Sequence, residues 1–492
     1  MSAFRVLFLL AVVLQLPAYA KPLVKPTGTA PGSIQWQPCN SIAFQHWFSD
    51  GPPPAGLQCG YVDAPLSDQN AAQTVRLALT RLPAVGPKKG SVVIIADGPG
   101  SPGLNPKIAE QGPAWRLQKS YDIIGYDPRG VGQSTPKISC QPTASEETPS
   151  PDENDIPGAE QQARDRVAAC IKQTGADVVQ HIGTHEAVND LDTVRRALGE
   201  PALTAVAYSY GTKVAELYAE RFPKKTRALV LDGVVNLKED DFNQRINQER
   251  GFQQSFLRFA DDCEKSGSCP LTSEPNLAIQ RYHRMLRKLH DAPFVTPSGY
   301  EISADDVITL TRNLLPWRER WPELATALRK IDEGKADDAV TDLIDESYSP
   351  DADDARMVIT CADMAKPDTD QQLLRRQRQQ INTAASFPNY LPLHEYPLET
   401  CDFWPYPGHL EQPHAPVLST ALPPLLFVTQ RYDPVTPYRN AREMASSFKS
   451  PLITREGDGH TLALTGVDSC VDDAVIDYLL SPKKPRRDKT CR

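Results

Sequence analysis

A serine between small residues, an aspartate and a histidine, in that chain order, have the types and spacing for acyl transfer. Ser209 lies in Leu203-Thr204-Ala205-Val206-Ala207-Tyr208-Ser209-Tyr210-Gly211-Thr212-Lys213, where an apolar run passes into an amphipathic stretch (Val214, Leu217, Tyr218, Phe222). A strand-to-helix turn this tight needs small residues two before and two after the serine. It also holds the serine in strained backbone geometry with Oγ exposed. Ala207 stands where glycine is usual and still meets the steric demand. A serine hydroxyl becomes a nucleophile when a base takes its proton, and the base needs an acid to orient it. Asp433 follows the apolar run Leu425–Thr429, and His460 follows Leu452–Thr454 in Gly457-Asp458-Gly459-His460. Both are therefore expected on loops after strands, in the order serine, acid, base.

The other histidines fit less well. His181 and His185 precede the serine, while His283, His290, His394, His409 and His414 have no strand before them. Asp458 and Asp468 crowd the histidine loop instead of ending the preceding strand. The oxyanion formed on attack needs preorganised backbone donors. The amide of Tyr210 is expected to supply one, and Gly98, in Asp97-Gly98-Pro99-Gly100-Ser101-Pro102-Gly103, the other. That turn is no phosphate loop, because no Gly-Lys-Ser/Thr follows it. No metal or organic cofactor is implied.

These residues need a sheet to position them. Thr74–Leu82 alternates apolar and polar residues, as a strand with one wet face does. Ser91–Ala96, Tyr121–Tyr126, Leu203–Ala207 and Ala228–Leu231 are short apolar runs suited to strands buried on both faces. With a helical pattern over Asp190–Leu198, the alternation predicts an α/β fold with a mostly parallel, doubly wound sheet. From about Leu237 the chain turns helical and charged, with Phe252, Phe256 and Phe259 at helical spacing and a second helix near Trp321–Leu328. We read 238–400 as an inserted helical cap or lid, and 21–237 with 401–492 as the catalytic core. Residues 141–160, rich in Pro, Ser, Glu and Asp, read as a solvated loop.

The first twenty residues read as a signal peptide: Arg5, an apolar Val6–Leu16, and Ala18-Tyr19-Ala20 before Lys21. Cleavage is expected after Ala20, with a secreted or periplasmic product and no stable membrane anchor. The formal charge of −9 argues against a nucleic-acid partner. Ten cysteines without a C-x-x-C pair favour disulfides over a metal site. Pairing neighbours in order is the simplest scheme (39 with 59, 140 with 170, 263 with 269, 361 with 401, 470 with 491), although sequence does not fix connectivity.

Taken together, several stretches resemble the secreted tripeptidyl aminopeptidase-type α/β-hydrolases, relatives of the prolyl aminopeptidases. They are Cys59–Leu66, the Asp97–Gly103 turn, Tyr126-Asp127-Pro128-Arg129-Gly130-Val131-Gly132-Gln133-Ser134, Asp190–Arg195, the Ser209 turn and Leu231-Asp232-Gly233-Val234. Further along they are Trp321–Leu328, Cys361-Ala362-Asp363, Cys401-Asp402-Phe403-Trp404-Pro405 and the closing Cys470 and Cys491. The resemblance implies an α/β-hydrolase fold and release of single residues or short peptides from free N-termini of peptide substrates through an acyl-enzyme; separately, a monomer is expected. Asp97 and Pro102 depart from that family's Gly-Gly-Pro-Gly-Gly-Ser-Gly turn. Asp97 would either oppose the oxyanion or anchor a substrate amine. An aminopeptidase also needs a carboxylate for the substrate ammonium, and Glu249 and Asp363 are candidates. An esterase on the same residues and a silent binding protein are the alternative readings.

Overall fold

The computed structural model describes residues 33–48, 51–68, 72–104, 112–140, 155–267, 269–347, 350–364, 370–391, 396–408 and 413–492. The expected signal peptide lies outside them. One ten-stranded sheet runs through the core. It comprises β1 (Gln37–Pro38), β2 (Gln58–Pro65), β3 (Thr74–Leu82), β4 (Gly90–Ile95), β5 (Tyr121–Tyr126), β6 (Leu203–Tyr208) and β7 (Thr226–Asp232). After a separate two-stranded pair, β8 (Phe294–Val295) and β9 (Glu301–Ile302), it is completed by β10 (Leu426–Tyr432), β11 (Leu452–Asp458) and β12 (Lys489–Cys491). The spatial order is β1-β2-β3-β5-β4-β6-β7-β10-β11-β12.

Only the β1–β2, β2–β3 and β3–β5 pairings are antiparallel, and the rest of the sheet is parallel. The continuous apolar runs explain this. Every residue of β4, β5 and β6 is buried, because helices cover both faces of a parallel sheet. The chain crosses from β5 over β4 to β6, so the loops after β4 and β6 diverge. A crevice opens there at the carboxyl ends of the strands, the usual ligand position in such sheets.

Between β7 and β10 the chain is mainly helical. The longest helix, Asp241–Lys265, buries Phe252, Phe256 and Phe259. Phe256 stacks on Phe387 at 4.7 Å, and Trp321 meets Phe259 edge-on at 5.7 Å. These rings belong to a core separate from those on the two faces of the sheet.

One expectation is corrected. Of the supposed loop 141–160, residues 141–154 lie outside the described ones, and a helix runs from Ile156 to Thr174. Asp155 caps it by accepting from the Gly158 amide at 3.0 Å. Its inner face buries Val167, Ala169 and Cys170, a pattern that the polar composition concealed.

The five disulfides are Cys39–Cys59, Cys140–Cys170, Cys263–Cys269, Cys361–Cys401 and Cys470–Cys491. Among the described residues, no helix is long and apolar enough to cross a membrane.

In the Tyr126–Ser134 segment, Arg129 forms a buried ion pair with Asp190. Arg129 donates to both oxygens of Asp190, at 2.7 and 2.6 Å, and to the carbonyls of Leu66, His181 and Pro65. Arg129 and Asp190 are each 2% exposed. Removing one partner strands the other charge away from water. Asp190→Ala should therefore cost about 3–5 kcal/mol of folding stability, read as a lowered midpoint in urea denaturation.

Candidate active site

The turn after β6 forces Ser209 to φ 50° and ψ −124°, a conformation costly for a residue with a side chain. It is held there on two sides. The Ser209 amide donates to the Asp232 carbonyl at 2.8 Å, and the Ser209 carbonyl accepts from the Thr212 amide and hydroxyl at 2.9 and 2.7 Å. A side chain on Gly211 would come within 2.5 Å of the Ala96 carbonyl, which is the steric demand expected two residues after the serine.

Asp433 and His460 meet at the ends of β10 and β11. Nδ1 of His460 lies 2.8 and 3.0 Å from the two Asp433 oxygens. The carboxylate is fixed by the amides of Val435 and Thr436, at 2.8 and 2.9 Å, and by the Thr436 hydroxyl at 3.0 Å. An acceptor at Nδ1 puts that proton on Nδ1 and leaves Nε2 as the basic nitrogen. Nε2 is buried and has no hydrogen-bond partner among the described residues. Burial disfavours the charged imidazolium. The charge and hydrogen bond of Asp433, with the charges of Asp232 and Asp97, outweigh that effect and raise the His460 pKa above its ordinary value.

Residues that the sequence reading passed over support this arrangement. Asp232, at the end of β7, accepts from the amides of Leu462 and Ala463 at 2.6 and 2.7 Å, fixing the loop just after His460. Burial pushes its carboxyl up to about 6, against those two bonds. Asp127 accepts from the amides of Gly103 and Leu104, at 2.7 and 3.2 Å, and from Gln133, so it ties down the glycine-rich turn. The helical region also reaches both loops. The amide of His460 donates to the Pro316 carbonyl at 2.9 Å, and Gln248 donates to the Val435 carbonyl at 3.1 Å. Gly251 packs so tightly that a Cβ there would fall 2.3 Å from the Pro434 carbonyl.

Ser209, Gly98 and Tyr210 line one cavity of about 560 Å³ between the sheet and the helical region. Asp363 lines it too. Its carboxylate accepts from the Thr184 amide at 2.7 Å and from the Thr184 hydroxyl, with Lys213 Nζ 3.6 Å away. Asp241 shares the same wall, and burial raises its carboxyl pKa, opposed by Lys213 and reinforced by Asp363. Glu249 does not line this cavity. It is held by both guanidinium nitrogens of Arg312, at 2.9 and 2.5 Å, so the suggestion that it receives an ammonium is withdrawn.

Asp97 is also absent from that lining, although its charge is felt at His460. The rival acids are engaged elsewhere, Asp458 with Arg258 and Asp468 as the cap of the helix Ser469–Leu480. The one cluster with metal-ligand spacing among the described residues is Asp468, Cys470 and Cys491, and its two sulfurs are bonded to each other.

The electrostatics give a signed expectation. Asp97→Asn removes a negative charge that favours imidazolium, so the His460 pKa falls. If neutral His460 is the working base, the acidic limb of the kcat/KM profile should move to lower pH. A limb left in place would show that His460 does not set it.

Comparison with known proteins adds three relatives. The chain is 44% identical to YuaR of Escherichia coli (strain K12) over 93% of each protein. It is 33% identical to the serine protease Hip1 of Mycobacterium tuberculosis, covering 93% of this chain and 91% of Hip1. It is 30% identical to carboxylesterase B of the same organism, covering 97% of this chain and 95% of that one. Residues 393–491 match a family model described as TAP-like protein.

Proposed function

Because the chain belongs to the TAP-like family of α/β-hydrolases, a family of serine hydrolases, we propose that it is an exported serine aminopeptidase acting on short peptides. Ser209 attacks the carbonyl carbon while Nε2 of His460 takes its proton, and Asp433 orients the ring and stabilises the imidazolium. The amides of Gly98 and Tyr210 receive the oxyanion. His460 then gives its proton to the departing nitrogen, and water repeats the sequence to release the acid. The observation that carries this reading is the His460–Asp433 pair, which leaves a buried Nε2 with no hydrogen-bond partner among the described residues, in the same fold as a strained serine in the turn after β6. The five disulfides support export.

A free amino terminus needs an acidic receptor. Two carboxylates in the Ser209 cavity, Asp241 and Asp363, are suited to it. Asp241 is the better placed, since Asp363 already serves Thr184 and Lys213. We take 238–400 as the cap that closes over this cavity and limits the length of the acyl segment.

Peptide anilides with free and acetylated N-termini, assayed beside a simple acyl ester, test the reading. Ser209→Ala should lower kcat by about 10⁵–10⁶, and Asp433→Asn by about 10⁴. Unchanged turnover in Ser209→Ala would end the mechanism. Asp241→Asn should raise KM for free-terminus substrates by roughly tenfold or more and leave acetylated ones unaffected. The relative named carboxylesterase B gives weight to the second reading, an esterase. Turnover of the ester alone would establish it.

A further inference from the structure

The oxyanion donor at Tyr210 is a backbone amide, so its direction is set by whatever holds the two edges of its peptide plane. That plane is rigid and carries the Ser209 carbonyl on one edge and the Tyr210 N–H on the other. Thr212 holds the carbonyl edge through its amide and hydroxyl. The other edge leads to Cα of Tyr210, the first residue of the helix Tyr210–Arg221, whose amide has no acceptor within its own helix. Ser209 is held at φ 50°. Relaxation of that strained backbone would rotate the plane and turn the N–H away from the reacting carbonyl.

The Tyr210 side chain is anchored by the helical region. Asp363, the last residue of the helix Pro350–Asp363, accepts from the amide of the fully buried Thr184 at 2.7 Å and from its hydroxyl. The same hydroxyl lies 2.5 Å from that of Tyr210. A hydroxyl has one proton and a carboxylate has none to give. Thr184 therefore donates to Asp363, and Tyr210 donates to Thr184. Burial, and then the Asp363 charge, push the Tyr210 phenol well above its ordinary value, which keeps that proton in place. The Tyr210 ring also packs on an apolar cluster that contains Val358, Ile359 and Ala362 of the same helix as Asp363. One turn along from Tyr210, Lys213 brings Nζ to 3.6 Å from the carboxylate. The approach leaves no slack, since a Cβ on Gly183 would fall 2.7 Å from Oδ1 of Asp363. The Cys361–Cys401 disulfide ties down the end of the helix that carries Asp363.

We propose that Asp363 is a positioning residue for the oxyanion hole: acting through Thr184 and the Tyr210 hydroxyl, it locks the peptide plane whose amide receives the developing charge. The proposal rests on the Ser209 mechanism and on the Tyr210 amide as a donor. It gives this carboxylate a role apart from substrate binding. Docking of the helical region on the sheet thereby becomes a condition for stabilising the transition state. The Tyr210 amide is needed most when the carbonyl turns tetrahedral, so loosening it lowers kcat with little change in KM.

The test uses the mature protein, a peptide anilide, and the peptide boronic acid of the same acyl sequence. The boronic acid bonds to Ser209 as a tetrahedral adduct with an oxygen in the oxyanion position. Rates are referred to active sites counted by fluorophosphonate titration, so unfolded protein does not enter. Thr184→Val and Tyr210→Phe, which preserve packing volume, should each lower kcat roughly tenfold, short of the 10²–10³ that loss of a whole donor costs. KM should change little, and the boronate Ki should rise in proportion to the fall in kcat/KM. Asp363→Asn, which sets an NH₂ in place of one acceptor, should act in the same direction. Adding it to Tyr210→Phe should lower kcat little further, because one chain of bonds is broken only once. Unchanged kcat and Ki in the single variants, effects that multiply in the double variant, or a rise in KM alone would each overturn the proposal and leave the serine mechanism intact. No inhibition of the unmodified protein by either reagent would overturn both.

Discussion

Asp232 joins the two halves of the site. Its main-chain carbonyl holds the amide of Ser209, and its carboxylate holds the loop that follows His460. Ser209 and His460 follow strands far apart in sequence, yet one residue hydrogen-bonds to the first and to the loop just after the second. That residue is at the end of β7, which pairs with β6 on one side and β10 on the other. It is also buried at a cost. One carboxylate oxygen has no hydrogen-bond partner among the described residues, and burial pushes the group up to about 6. A buried acid so placed is tolerated because two short amide bonds compensate it. The backbone of Ser209 and the loop that follows His460 are both held at that junction.

The helical region is part of the same machinery. It reaches the base through Pro316 and the acid loop through Gln248 and the close approach of Gly251. Movement of this region would therefore disturb Asp433 and His460 directly, in addition to opening the cavity. Its apolar core is separate from those of the sheet. The two bodies also share a second apolar cluster, where Val358, Ile359 and Ala362 pack with Ile138, Val167 and Ile182, and the Cys361–Cys401 disulfide lies in it.

The parts of this arrangement legible in the sequence were those encoded locally. β4, β5 and β6 announce themselves as apolar runs because burial on both faces leaves no room for alternation. Ser209 is legible because a tight turn restricts its immediate neighbours. Asp232 was not, since its role depends on amides 230 residues away that only the sheet register brings near. The different surroundings of two carboxylates on one helix were hidden for a related reason. Asp241 and Glu249 sit roughly two turns apart and about 80° round the helix. One faces the cavity and the other faces Arg312. Sequence gives the helix without its rotation about its own axis. The Ile156–Thr174 helix was hidden because a polar outer face dominates its composition.

The order of the disulfides has a consequence for how the protein is made. The ten cysteines bond in consecutive pairs, at separations of 20, 30, 6, 40 and 21 residues, so no bridge encloses another. A chain emerging from its N-terminus through a membrane pore would always present both members of one pair before the first member of the next. Oxidation could then proceed strictly in the order of emergence, with the nearest free thiol always the native partner. Such a protein would depend on a thiol oxidant and have little need of an isomerase.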